Sequence, residues 1–114
     1  GIAWPPAAGF RRGSQAIAQA TGGLVQKRIL ILLSNGFETM EAACFTEVFG
    51  WASIYGGIRF DQLSVGLRNP ITTTFGFDVI PEALLGDVNL DDFDALVIPG
   101  GFGNAGHYEE ALSE

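Results

Sequence analysis

The residues of this chain that could do chemistry are a carboxylate, a pair of glycines, one cysteine and one histidine. Gly100 and Gly101 end an apolar run at residues 95–98, and Glu41 follows an earlier apolar run by a short turn. Backbone N–H groups of glycines at the carboxyl edge of a sheet can stabilise a developing oxyanion. A carboxyl group shielded from water in the same crevice could exchange a proton with a thiolate or base. The alternative for Glu41 is a water-exposed carboxylate that only interacts favourably with the helix dipole. No nucleophile is evident after the glycines, so Glu41, Gly100 and Gly101 are predicted to form half of an active site.

Cys44 and His107 are the only cysteine and histidine of the chain. Cys44 lies one turn after Glu41 in a predicted helix, where a buried cysteine usually packs as a small apolar side chain. His107 is interpreted as a surface or helix-start residue, with a catalytic base as the alternative because it follows the same sheet edge. One cysteine and one histidine do not make a usual zinc site, and we expect neither a metal nor a cofactor.

Residues 101–106 satisfy the pattern G-x-G-x-x-G after a predicted strand. The dinucleotide fingerprint usually follows the first strand of its unit, and here that strand is followed by Ser34-Asn35-Gly36 instead. Glu109 and Glu110 would also lie near the phosphates without a neighbouring cation. The pattern therefore does not favour nucleotide binding.

The elements that must position Glu41 and the glycines alternate between strand and helix. Residues 28–33 are a continuous apolar run, typical of a central parallel strand that is buried on both faces. A helix is predicted from Thr39, as its N-cap, to Tyr55, with glycines at its end. Further runs predict a strand at 60–65, a β-hairpin or edge element at 70–77, a short helix or loop at 81–90 and a strand at 95–98. This order indicates an α/β sheet.

The predicted helix is apolar around much of its circumference. One stripe contains Met40, Cys44, Val48, Trp51 and Tyr55, and the other contains Phe45, Phe49 and Ala52. Such a helix is covered on more than one side. We expect the sheet to cover one side and a second subunit to contact part of the set Phe45, Phe49, Trp51 and Ala52, which makes a homodimer the expected assembly.

Composition and charge limit the class of protein. The 114 residues are 47% apolar and 17% charged, as in a soluble globular chain, and no apolar run is long enough for a membrane span. The net charge of −7 argues against nucleic-acid binding. A single cysteine favours a reducing compartment, so we expect a cytoplasmic protein without membrane contact.

The charge is unevenly distributed along the chain. Residues 1–31 contain no acid, whereas residues 32–114 hold all thirteen acids and two arginines. We predict a leader, tag or flexible extension at residues 1–26 and a folded part at residues 27–114. Organelle targeting by residues 1–26 is an alternative, as is an extension that packs on the domain or a partner.

Taken together, these motifs resemble the DJ-1/PfpI (ThiJ) superfamily, which has the class I glutamine-amidotransferase-like fold. Residues 27–33 resemble its first strand, and residues 36–42 resemble its loop and helix start, with Glu41 at the position of the active-site glutamate. Residues 94–101 resemble its strand and oxyanion loop, where the Gly101 N–H would donate. The two motifs lie about sixty residues apart, as they do in the family.

The resemblance implies a partial doubly wound, flavodoxin-like α/β sheet, with residues 27–114 as the N-terminal half of a DJ-1/PfpI-type domain. Family members carry a nucleophilic cysteine on a strand-to-helix turn beyond the glycine loop, and this sequence has none there. A complementary C-terminal half with that cysteine is therefore the expected partner. The 114-residue chain alone is expected to be inactive and not to fold autonomously.

The resemblance also implies a function for the complete protein. It would be a cysteine-dependent hydrolase or lyase acting on small carbonyl or amide substrates, with a glyoxalase-, protease- or amidase-like reaction and a role in stress response. The alternative is a non-catalytic redox-sensing chaperone or a ligand-sensing regulatory domain of the same fold.

Overall fold

The computed structural model describes residues 25–102, which form a parallel sheet, one helix and a separate hairpin. The strands are β1 (Val25–Leu32), β2 (Ile58–Gly66), β3 (Ile71–Thr72), β4 (Asp78–Val79), β5 (Ala83–Leu84) and β6 (Ala95–Val97), the helix is α1 (Thr39–Tyr55), and 3-10 turns cover Leu85–Asp87 and Leu90–Asp92. The sheet has the order β5-β2-β1-β6 with parallel pairs, and β3 and β4 form an antiparallel hairpin. This is the partial flavodoxin-like α/β fold expected from the sequence.

The central strand β1 is buried on both faces, as predicted. Ile29 and Ile31 belong to the apolar cluster on the α1 side, together with Phe37 and Ile71. The alternate residues of β1, Leu30 and Leu32, join a second cluster on the opposite face. Because successive strand side chains point to opposite faces, one unbroken apolar run supplies both halves of the core.

Helix α1 has the predicted bounds, but its N-cap is Glu38 rather than Thr39. Glu38 is extended, with φ −86° and ψ 122°, and its side chain makes no capping hydrogen bond. Its N–H donates to the carbonyl oxygen of Gly100 over 2.8 Å, which holds the residue outside the helix and makes Thr39 the first helical residue. The helix ends at Gly56, and no helix in residues 25–102 combines the length and apolar content needed to cross a membrane.

One side of α1 packs on β2. Ala42 and Ser53 are its buried residues, and the ring of Phe49 lies 5.0 Å from that of Phe60 between centroids. The hydroxyl of Ser53 donates to the carbonyl of Phe49 and accepts from the N–H of Phe60, both over 2.8 Å. Phe49 therefore contacts the sheet of its own chain, although it belonged to the set predicted near a second subunit.

The other side of α1 carries apolar side chains that are exposed in the described residues. We call this side the outer face. It contains Met40, Phe45, Val48, Trp51, Ile54 and Tyr55. The rings of Trp51 and Tyr55 stack on it with centroids 5.8 Å apart. The helix is thus apolar on two sides, as the sequence indicates.

The segment predicted as a short helix or loop at 81–90 contains a strand as well. Ala83 and Leu84 pair in parallel with Val65 and Gly66 of β2. This segment is held beside β2 by a bond just before β5, in which Glu82 N–H donates to the carbonyl of Ser64 over 3.1 Å. Because β5 has only two residues and pairs with residues nearly twenty positions earlier, the local sequence has no periodicity that would predict it.

Candidate active site

The turn after β1 is held in place by the β3–β4 hairpin. The N–H of Gly36 donates to the Thr72 carbonyl over 2.7 Å, and the N–H of Thr72 donates to Asn35 Oδ1 over 3.0 Å. The N–H of Thr74 donates to the Phe37 carbonyl over 3.0 Å, and its hydroxyl donates to the Gly36 carbonyl. Gly36 has a φ of +81°, which L residues with a side chain rarely adopt. The route from β1 to α1 is therefore set by backbone bonds on both sides of this glycine.

The glycine loop after β6 lies against the same turn. Phe37 and Gly101 form an isolated antiparallel bridge, and the Gly100 carbonyl accepts from Glu38 N–H over 2.8 Å. This bond joins Glu38 and Gly100, the residues next to the bridged pair. Phe37 and Gly101 are therefore a non-hydrogen-bonded pair of an antiparallel ladder, in which the N–H and C=O groups of the two residues point away from each other. The peptide that joins the two glycines is trans, so its N–H lies opposite its bonded carbonyl. The Gly101 N–H is thus directed away from the turn, and no residue in 25–102 accepts it.

The carboxylate of Glu41 lies directly against Gly100. A Cβ atom added to Gly100 would lie 2.7 Å from one carboxylate oxygen of Glu41 and 3.0 Å from the other. Contacts below 3.0 Å are essentially absent for real Cβ atoms, so this carboxylate position requires glycine. Glu41 is in the first turn of α1, where the helix dipole favours a negative charge. The structure therefore brings together Glu41, Gly100 and Gly101, the three residues selected from the sequence.

Glu41 is exposed in residues 25–102, as in the alternative of a helix-start carboxylate in contact with water. One expectation about a neighbouring side chain is wrong. Cys44 is a free, exposed thiol rather than a small buried side chain. The reason is that α1 contacts the sheet through the side that carries Ala42 and Ser53, and Cys44 does not lie on it.

Several candidates from the sequence lie outside the described residues. These are His107, most of the glycine pattern at 101–106 and nearly all of the predicted leader at 1–26. Within residues 25–102, no three His, Cys, Asp or Glu side chains are placed to bind a metal ion together. The described part of the site therefore consists of a carboxylate, a directed backbone donor and the turns that hold them.

Sequence reasoning missed the residues that brace the site. Asn35 of the turn accepts from Thr72 of the hairpin through its side chain, and the Thr74 side chain donates to the turn, over separations of 37 and 38 positions. The hairpin itself was predicted, and its run of three threonines favours an extended chain. No local signal indicated which loop that hairpin would contact.

Comparison with known proteins agrees with this geometry. The model of the DJ-1/PfpI family matches residues 27–113. Among solved structures, the DJ-1 superfamily protein Atu0886 from Agrobacterium tumefaciens is 32% identical with a TM-score of 0.52, and the match covers 66% of this chain. The protein VC2308 is 28% identical with a TM-score of 0.52, and that match covers 69% of this chain. None of the curated proteins compared with the chain matches it.

These matches cover 38% of the length of each of the two solved proteins. The family model includes the β1 turn, the start of α1 and the glycine loop, which are the segments that place Glu41 against Gly100. A match over that range, together with the shared fold, shows that the chain belongs to the DJ-1/PfpI family.

Proposed function

We propose that this chain supplies the active-site carboxylate and the oxyanion loop of a cysteine-dependent hydrolase or lyase that acts on small carbonyl or amide substrates. The observation that carries the proposal is the contact between Glu41 and Gly100, next to a Gly101 N–H that is directed away from the turn. A proton-transferring group and an oxyanion donor must flank the same reacting carbonyl, and this contact supports such an arrangement.

The proposed chemistry begins with a thiolate that attacks the substrate carbonyl carbon. A carbon–sulfur bond forms, and the electron pair of the C=O bond moves to its oxygen. The N–H of Gly101 donates to that oxygen as its negative charge develops. Glu41 accepts the proton released when the thiol ionises and later returns it to the substrate or leaving group.

The nucleophile in this proposal comes from outside the 114 residues. The single cysteine, Cys44, is exposed on α1 and has no contact that directs it at Gly101 within residues 25–102. We propose that a complementary C-terminal half carries the reactive cysteine, in a whole protein that is a cytoplasmic homodimer. The 114-residue chain by itself is then inactive.

The test is the turnover of methylglyoxal and of a small amide by the whole protein and its Glu41→Gln variant. We expect kcat/KM to fall by about 10²–10⁴-fold, the usual contribution of a general acid or base. The matched control is Glu47→Gln, since Glu47 lies exposed on the same helix and only accepts a bond from Trp51 Nε1 over 3.2 Å. This control removes the same charge and should retain wild-type turnover.

Two outcomes would contradict the proposal. Unchanged turnover in Glu41→Gln would remove the role of this carboxylate. A wild-type protein that turns over neither substrate would favour the non-catalytic alternative, a redox-sensing chaperone or a ligand-sensing regulatory domain.

A further inference from the structure

A cavity of about 200 Å³ lies between the start of α1 and the tip of the β3–β4 hairpin. It is lined by Glu38, Thr39, Met40, Thr73, Thr74, Phe75 and Phe77. Pockets for drug-sized ligands usually have about 300–1,000 Å³, so this one fits a substituent of a ligand rather than a whole ligand.

The cavity is joined to the candidate active site through Glu38. This residue is part of the cavity lining, and its backbone N–H donates to the Gly100 carbonyl. On the hairpin side, the N–H and the hydroxyl of Thr73 both donate to the Phe77 carbonyl, over 3.0 and 2.8 Å. One wall of the cavity is thus held by Glu38 and the other by the hairpin. Because Glu38 is bonded directly to the glycine loop, a substituent of a substrate bound at that loop can reach the cavity.

The charge of the cavity selects the kind of substituent. The carboxylate of Glu38 has no hydrogen bond or ion pair within residues 25–102, and none of the basic residues there lines the cavity. Glu38 and the nearby Glu41 carry two full negative charges at the start of α1. The helix dipole contributes only about half a positive charge at that end, so the site stays negative.

The apolar lining suits the same kind of group. Phe75, Phe77 and Met40 line the cavity, and these residues are 90%, 59% and 79% exposed. Aromatic faces attract ammonium and guanidinium groups, and their apolar area packs against an alkyl stem. A carboxylate gives these cations a charge-assisted hydrogen bond.

We propose that this cavity is a specificity subsite for an alkylammonium or alkylguanidinium substituent of the substrate. The assignment rests on the proposed function, because it places the reacting carbonyl or amide of the same molecule at Gly101. Glu38 binds the cationic group, and Phe75 and Phe77 contact its alkyl stem.

The experiment measures binding without turnover. The whole protein is titrated with n-butylguanidinium and with the nearly isosteric neutral n-butylurea, and binding is followed by calorimetry and by backbone amide NMR shifts. We expect the cation to bind at least about tenfold more tightly than the urea, with shifts at Thr39 and Thr74. Glu38→Gln should weaken cation binding by about tenfold and leave urea binding unchanged.

The controls separate a local effect from the charge of the whole chain. Glu47→Gln removes the same charge from α1 outside the cavity and should bind the cation as the wild type does. Since Glu38 makes no side-chain cap bond, Glu38→Gln should leave the fold intact, which the NMR spectrum checks. Phe77→Leu keeps an apolar wall without the ring and should weaken cation binding several-fold.

The subsite would be ruled out if the urea bound as tightly as the cation, if Glu47→Gln weakened binding as much as Glu38→Gln, or if the shifts mapped elsewhere. Failure of the proposed function is a different result, because unchanged turnover in Glu41→Gln does not alter cation binding at Glu38. Binding without turnover would retain the cation site and reject only its role in catalysis.

Discussion

The first turn of α1 and the outer face of the same helix are both exposed, but they differ in chemistry and in support. At the first turn, Glu41 lies against Gly100, and backbone hydrogen bonds from two other segments fix the surrounding chain. Along the outer face, Val48 is 65% exposed, Trp51 55% and Tyr55 80%. A braced polar corner suits a small substrate, whereas a broad apolar strip on a helix suits a large, apolar partner.

This difference separates two kinds of function on one helix. The first turn is expected to affect chemistry, and the outer face is expected to affect association with another chain. Substitutions in the two regions should therefore change different measured quantities.

Of the substitutions that distinguish the two regions, Gly100→Ala is expected to have the largest effect. Its Cβ would require the Glu41 carboxylate to move, and a carboxylate at the end of a flexible side chain can do so without disturbing the backbone. We expect kcat/KM of the whole protein to fall by about 10²-fold, as for a catalytic group displaced by about 1 Å. The melting temperature should change little, because Gly100 does not have a positive φ.

Gly86→Ala is the matched control for this substitution, since an added Cβ there meets nothing within 4 Å. It should retain turnover. Equal activity in Gly100→Ala would show that the contact between Glu41 and Gly100 has no catalytic consequence.

Substitutions on the two sides of α1 are expected to have smaller effects, one on the free energy of unfolding and the other on dimer formation. Ser53→Ala leaves the Phe60 N–H without its acceptor and should lower the free energy of unfolding by about 1–3 kcal/mol, measured by urea denaturation of the whole protein. Val48→Gln on the outer face should leave secondary structure intact but reduce the dimer fraction in analytical ultracentrifugation at low protein concentration.

The comparison between the two sides would be wrong if Ser53→Ala changed association and Val48→Gln did not. A wild-type protein that sediments as a monomer would leave the outer face without the proposed partner.

Much of the fold could be predicted because its main elements have local signals. The apolar run that became β1 and the glycines that end α1 are visible in the sequence. The strand β5 could not be predicted, because its two residues are defined by pairing with Val65 and Gly66. The exposure of Cys44 was also missed, since a helix that is apolar on two sides does not indicate which side meets the sheet.

For the site, the sequence and the family resemblance predicted that Glu41 faces the glycine loop, but not the atoms that meet there. Glu41 and Gly100 meet because β6 pairs with β1 rather than with β2, a neighbour relation that no local pattern contains. The bracing by Asn35 and Thr74 depends on the same kind of long-range approach. Resemblance to a family supplied the pairing of the two motifs, and the structure supplied the geometry.

In the proposed site, Glu41 and Gly101 face one reacting carbonyl. The most direct measurement is a crystal structure of the whole protein trapped as the covalent adduct of a small aldehyde with its reactive cysteine. We expect the adduct oxygen at about 2.7–3.1 Å from the Gly101 nitrogen, with the Glu41 carboxylate beside the same adduct. An adduct oxygen bound elsewhere, with Gly101 N–H and Glu41 both facing solvent, would contradict it.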